Sequence, residues 1–303
     1  MDPKTLIPLF AQGSLWLVVL SFGLRADAAR VFEAMRHSGL ILKGILAVYI
    51  VVPALAVIIC TIMPIDRTIA IGIVLMAVSP LAPVIPARFM QAGLDPAKAV
   101  HYYVTMILFA VFFVPATVAL LSALYPPNAS ISVGAVSKLV ALTILAPIGI
   151  GVAIATLAPR IADYVAPVTF WTGLIAAVLL VTAILYKQGG AIVGLIGDGT
   201  LVVIVLIVLA GILAGHLLGR PSPLHSNVLA VSAAIRHPGI AALIVRDNFT
   251  EPRVMLTVIL FLLTSFVVTA LYGVWFKRAY PSSPVVLSAA WHSPKNAEDL
   301  PHN

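Results

Sequence analysis

The sequence predicts an all-α polytopic membrane protein of about nine transmembrane helices, folded as two inverted repeats with one broken helix in each. Three observations carry this expectation. The 303-residue chain is 61% hydrophobic, with a mean hydropathy of +1.11. Charged residues make up 10% of it, against about 25% in a soluble domain. Two of its apolar runs are interrupted by prolines, each run standing second to last in its half of the chain.

Nine runs approach or exceed the ~20 residues that cross a hydrocarbon core, and a spanning chain must satisfy its backbone internally, so each is read as a helix. The alternating ~10-residue pattern of a membrane β-barrel is absent. The first run, 5–23, is too long for a signal-peptide core, and its basic residues follow it instead of preceding it. The second, 38–63, ends at the turn Met63-Pro64-Ile65-Asp66. The third, 68–91, contains Ser79-Pro80-Leu81-Ala82-Pro83-Val84-Ile85-Pro86. Three prolines in seven residues remove three donors and clash with preceding carbonyls, which forbids a regular helix there. The fourth, 98–124, stops at Tyr125-Pro126-Pro127-Asn128. The fifth and sixth are 132–158 and 164–187. The seventh, 198–219, lies between Gly197-Asp198-Gly199 and Arg220-Pro221-Ser222-Pro223. The eighth, 226–246, is interrupted by Arg236-His237-Pro238-Gly239, and the ninth is 252–277.

The repeats are 1–124 and 132–279. They hold four and five runs, which sets them in opposite orientations. That is the pattern of carriers whose broken helices cross near the membrane midplane. The polar, Pro/Ser-rich tail at 280–303 is expected to be disordered.

A net charge of +7 and a pI near 9.7 do not indicate nucleic acid here, because the basic residues sit at run ends. They set orientation and meet anionic lipid. Ten, from Arg25 through Arg88, Lys98 and Arg160 to Lys277 and Arg278, fall on one side. Six, including Arg67, Lys138 and Arg253, fall on the other. This predicts an outside N-terminus and a cytoplasmic C-terminus, in a plasma or inner membrane. Asn128-Ala-Ser130 and Asn248-Phe-Thr250 match the glycosylation triplet by chance, since both connections hug the membrane. The single Cys60 forms no internal disulfide.

None of the 11 acidic residues lies inside an apolar run, whereas Arg236 lies mid-run. An intramembrane charge costs roughly 2.5–3.5 kcal/mol on insertion scales and usually has a function. A core with a cation and no carboxylate suits anions better than cation coupling. The planar guanidinium fork of Arg236 fits a carboxylate, phosphate or sulfate; its alternative role is to cap carbonyls freed at the break. His237 is a second candidate, able to change protonation or to rest neutral, bonded to a backbone carbonyl. Ser232, Pro83 and Pro86 flank the same cleft, between 79–86 and 236–239. Arg88 follows the first break, as its counterpart or at the water interface. His216 is read as structural. No nucleophile–base motif, phosphate-cradling glycine loop or Cys cluster points to an enzyme, a metal or a cofactor.

At these broken runs the chain resembles the bile acid:sodium symporter family. Gly23-Leu24-Arg25-Ala26-Asp27 through Ile50-Val51-Val52-Pro53 is similar to the family's small-residue, acidic-loop and Pro-bearing helix. Residues 79–86, followed by Ala92-Gly93-Leu94-Asp95, lie over its Cys-Pro-Gly-Gly-Thr-Ala-Ser-Asn motif. Ala234-Ile235-Arg236-His237-Pro238-Gly239-Ile240-Ala241 lies over its Gly-Met-Gln-Asn-Ser-Gly-Leu-Ala motif. The resemblance spans about residues 5–279. It implies a core domain with two crossed helices and a panel domain that moves against it. The family's sodium ligands, by the same resemblance, fall on Ile85, Pro86, Ala99, Tyr103, Ser232 and Arg236. Hard cations need oxygen donors, most of which are lost at these positions, and a cation stands at the last.

The expected function is therefore secondary transport of a small organic or inorganic anion through a lipid bilayer, with degenerate sodium sites. One alternative is a sodium-coupled symporter using backbone ligands. Another is a non-transporting receptor or scaffold. Substrate identity and oligomeric state are not encoded in any motif.

Overall fold

The computed structural model describes residues 3–37, 39–124 and 132–280. The described residues form fourteen α-helices and two π-helical turns and contain no strand. Helix α1 is Pro3–Arg25 and α2 is Ala28–His37. Helices α3 (Gly39–Ile45) and α4 (Val52–Ile62) are joined through a π-turn at Leu46–Val51. The third run is two helices, α5 (Arg67–Val78) and α6 (Ile85–Gln91). Then come α7 (Pro96–Leu124), α8 (Val133–Val140), a π-turn at Ala141–Leu145, and α9 (Ala146–Leu157). Helix α10 runs unbroken over Pro159–Gly197 and α11 over Thr200–Gly219. The eighth run is again two helices, α12 (Pro223–Ala234) and α13 (Pro238–Asn248), and α14 is Pro252–Ala279.

Six of the continuous helical stretches are long and apolar enough to cross a membrane. Large apolar side chains such as Phe112, Leu157 and Leu179 stand exposed on the outside, where only hydrocarbon would suit them. The chain is an all-α integral membrane protein. Local chemistry sets its boundaries. Asp66 caps α5, accepting from the Thr68 N–H at 2.8 Å and from the Thr68 hydroxyl. These bonds hold its carboxyl below the usual range. Gly199, at φ +78°, turns the chain between α10 and α11 in a conformation that costs other residues a clash.

Three expectations are corrected. The connection after α1 is not a plain loop, because residues 28–37 form a helix. The sixth run is longer than 164–187: α10 has 39 residues, about 58 Å at 1.5 Å each, because Gly189 and Gly190 do not break it. Pro86 and Gly239 belong to the first turns of α6 and α13, so the interruptions narrow to 79–84 and 235–237. A proline in a first turn is tolerated because the N–H it lacks had no helical partner. Asn128 and residues 281–303 lie outside the described residues. Asn248 donates to the Ile244 carbonyl at 2.8 Å.

Backbones approach most closely at glycines. A Cβ on Gly215 or Gly219 of α11 would run into the backbone of α12 at Leu229 and Ser226. Gly23 of α1 and Gly151 of α9 face each other, and a Cβ on Gly23 would stand 2.7 Å from the Ile148 carbonyl oxygen. Helix α1 thus packs on α9 and α10, while α11 packs on α12 and α14.

Candidate functional site

The two interruptions meet. Leu81 and Arg236 form an isolated antiparallel bridge, and the His237 N–H donates to the Pro80 carbonyl at 2.7 Å. Prolines explain why the backbone is free to do this. Pro83 has no N–H to offer the Ser79 carbonyl four residues earlier, and Pro238 has none for Ala234. The two interrupted segments pair with each other across the crossing instead of facing lipid, and the freed Ser79 carbonyl takes a side-chain donor from Arg236.

Arg236 is 0% exposed and the largest fully buried side chain. Its Nη2 donates to the Val48 carbonyl at 2.9 Å and its Nη1 to the Ser79 carbonyl at 3.5 Å. Both acceptors are orphaned by proline. The π-turn sends the Val52 N–H to Ala47, and Pro53, the next residue in that pattern after Val48, has no N–H. The guanidinium therefore ties α12–α13 to the first break and to the π-turn. Among the described residues no carboxylate pairs with it, and its Nε–H has no partner. The carbonyl-capping geometry is one of the two roles expected from the sequence, and Nε–H is left as a buried donor without a protein acceptor.

The other candidates separate into groups. Ser232, buried on α12, donates to the Val228 carbonyl at 2.7 Å and shares a hydrogen bond of 3.3 Å with the Tyr102 hydroxyl. The Tyr49 hydroxyl donates to the Met106 carbonyl at 2.6 Å. His237 caps α13, its Nδ1 accepting from the Gly239 N–H at 2.9 Å, so that nitrogen carries no proton. This differs from the carbonyl contact expected for a resting histidine. Pro83 is half-buried and Pro86 buried, and neither offers a donor. Ile85, Ala99 and Tyr103 are fully buried, with the Tyr103 ring packed 4.4 Å from that of Phe22. His216 shares a hydrogen bond of 2.9 Å with the Tyr272 hydroxyl. Arg88 is not at the crossing. It lines a separate pocket with Lys277, Asn227 and Thr269.

Sequence reasoning missed Val48, because a carbonyl acceptor has no side-chain signature. The only clue was Pro53. It also missed Tyr49 and Tyr102, which look like ordinary core aromatics along their helices.

Apolar helices with two touching, proline-made breaks around a buried cation define a polytopic membrane protein whose irregular backbone is hidden from lipid. The chain belongs to the sodium bile acid symporter family, whose model matches residues 14–195. That stretch takes in the first break and ends within α10, before the second. The family is one of membrane transporters, so the chain is a transporter handling a small solute. No individual curated protein matches the chain.

Proposed function

We propose that this transporter is a secondary carrier for a small organic or inorganic anion, and that Arg236 stands permanently where a coupling cation would bind. The carrying observation is the guanidinium itself: buried, without a carboxylate partner among the described residues, donating to the Val48 and Ser79 carbonyls, with Nε–H unpartnered. Those carbonyls are oxygen ligands of the kind a hard cation seeks, and they are already taken by a cation that cannot leave. A second cation beside it would meet Coulomb repulsion in a poorly screening core. Ile85, Pro86 and Ala99 add no side-chain oxygen, and the Ser232 hydroxyl donates to a carbonyl. This weighs against the sodium-coupled alternative. The full burial of Arg236 fits an occluded conformation that opens when core and panel move.

The chain is read as nine passes in two inverted repeats. The passes are α1, α3–α4, α5–α6, α7, α8–α9, α10, α11, α12–α13 and α14, with the N-terminus outside. The touching breaks support this reading, since irregular backbone at membrane depth must be buried in protein or line a cavity.

The test is uptake into proteoliposomes from a panel of labelled carboxylates, sulfate and phosphate, with sodium or potassium outside. Equal rates are expected for whichever anion is carried. A steep, saturable sodium dependence would overturn the proposal and restore the symporter reading. Uptake of none of these anions in either salt would favour a receptor or scaffold.

A further inference from the structure

We infer that the pocket between α6, α12 and α14 is an oxyanion-binding site distinct from the crossing. It encloses about 310 Å³ at the end of the bundle where α6 and α14 finish and α12 begins. Six polar side chains line it: Arg88 and Gln91 from α6, Asn227 from α12, Thr269 and Lys277 from α14, and Tyr280 just after it. None of its lining residues is acidic. Among the described residues neither Arg88 nor Lys277 has an ion-pair partner.

The inner wall is what makes this more than a basic surface. Asn227 is 5% exposed and Thr269 is 3% exposed, and the Thr269 hydroxyl has no hydrogen-bond partner. A buried hydroxyl without a partner costs free energy, so it is normally satisfied by protein, water or ligand. Two cations and two amides around a small volume, with the unspent Thr269 hydroxyl buried in its wall, form a setting for a compact oxyanion. The guanidinium and ammonium supply charge-assisted bonds, and the amides fix orientation. A phosphate or phosphate-like group has the acceptors to use them. It has two sources, a free anion in solution or the headgroup of an anionic lipid, since basic pockets between helices also take headgroups. The site stands whether or not Arg236 meets the transported solute.

The experiment uses the full chain, purified in detergent, with inorganic phosphate as probe in thermal unfolding at constant ionic strength. A ligand that binds only the folded state raises the midpoint with concentration and saturates with its affinity. In a second arm the protein is taken from nanodiscs of phosphatidylglycerol or phosphatidylcholine, and retained lipid is counted by native mass spectrometry. Saturable stabilisation by phosphate identifies a free anion as ligand; selective retention of phosphatidylglycerol identifies the headgroup. Arg88→Gln and Lys277→Gln should each weaken the response about tenfold, as expected for one lost charge-assisted bond. Gly273→Leu is the second variant. Gly273 lines the pocket, and a Cβ there meets no atom within 4 Å, so the larger side chain can occupy the space without disturbing helix packing. It should abolish both responses while leaving the ligand-free midpoint at or above that of the parent. Arg236→Gln should keep them, which separates this site from the crossing. No saturable response in either arm, or an undiminished response in Gly273→Leu, overturns the assignment.

Discussion

Arg236 is a single side chain holding three pieces of backbone together. Its Nη2 and Nη1 donate to carbonyls in the π-turn and the first break, and its own main chain bridges Leu81. Replacement has two separable effects. Arg236→Lys keeps the charge but replaces a rigid fork by a point donor. It should weaken uptake of the carried anion about tenfold and leave transport indifferent to sodium. Arg236→Gln removes the charge and leaves at least one buried carbonyl short of a donor, at a cost of about 1–3 kcal/mol. It should abolish uptake of the carried anion without creating sodium dependence, because Ile85, Pro86 and Ala99 still supply no side-chain oxygen. Uptake by Arg236→Gln at the parent's rate would reduce the residue to a carbonyl cap.

Among the elements, the glycines divide by what they face. Gly215 lies against the α12 backbone, whereas Gly189 in α10 has open space around it. The same substitution should therefore change sign with position. Gly215→Ala forces α11 off α12 and should lower stability by about 1–3 kcal/mol. Gly189→Ala only removes unfolded-chain freedom and should raise stability by about 0.5–1 kcal/mol. Unfolding midpoints in one detergent compare the two directly, and a loss at both positions would refute the packing argument. The same division marks what the sequence could disclose. The breaks were legible because proline encodes them locally, at Pro80, Pro83 and Pro238. Helix α2 was not, since its short polar run reads as connection and becomes amphipathic only once wound. The Arg88 pocket was not, because no periodicity joins residues 88, 227, 269 and 277. The Val48 acceptor was hidden in the backbone, and the glycine contacts depend on which helices become neighbours.

The molecule as a whole packs as two sets of helices. Helix α1 seats on α9 and α10 at glycines, α11 seats on α12 at glycines and also packs on α14, and Gly72 of α5 lies against Val254 of α14. On the carrier reading these sets are panel and core, and Arg236 rides with the core. Its confinement to carbonyl partners then acquires an electrical meaning. A core that moves empty carries one uncompensated positive charge through the membrane field, and a core bearing a monovalent anion carries none. One elementary charge crossing the whole field exchanges roughly 2.3 kcal/mol per 100 mV. Voltage should therefore bias the return stroke and not the delivery stroke. Voltage steps applied to the substrate-free protein in a planar bilayer should give a capacitive charge displacement. A saturating monovalent substrate should suppress it, and Arg236→Gln should lack it. A parent without any such displacement would mean that the guanidinium stays fixed in the field while the solute passes. In the moving case, membrane potential takes over the part a sodium gradient plays elsewhere: it resets the empty carrier, and an interior-negative cell draws that charge inward on every cycle.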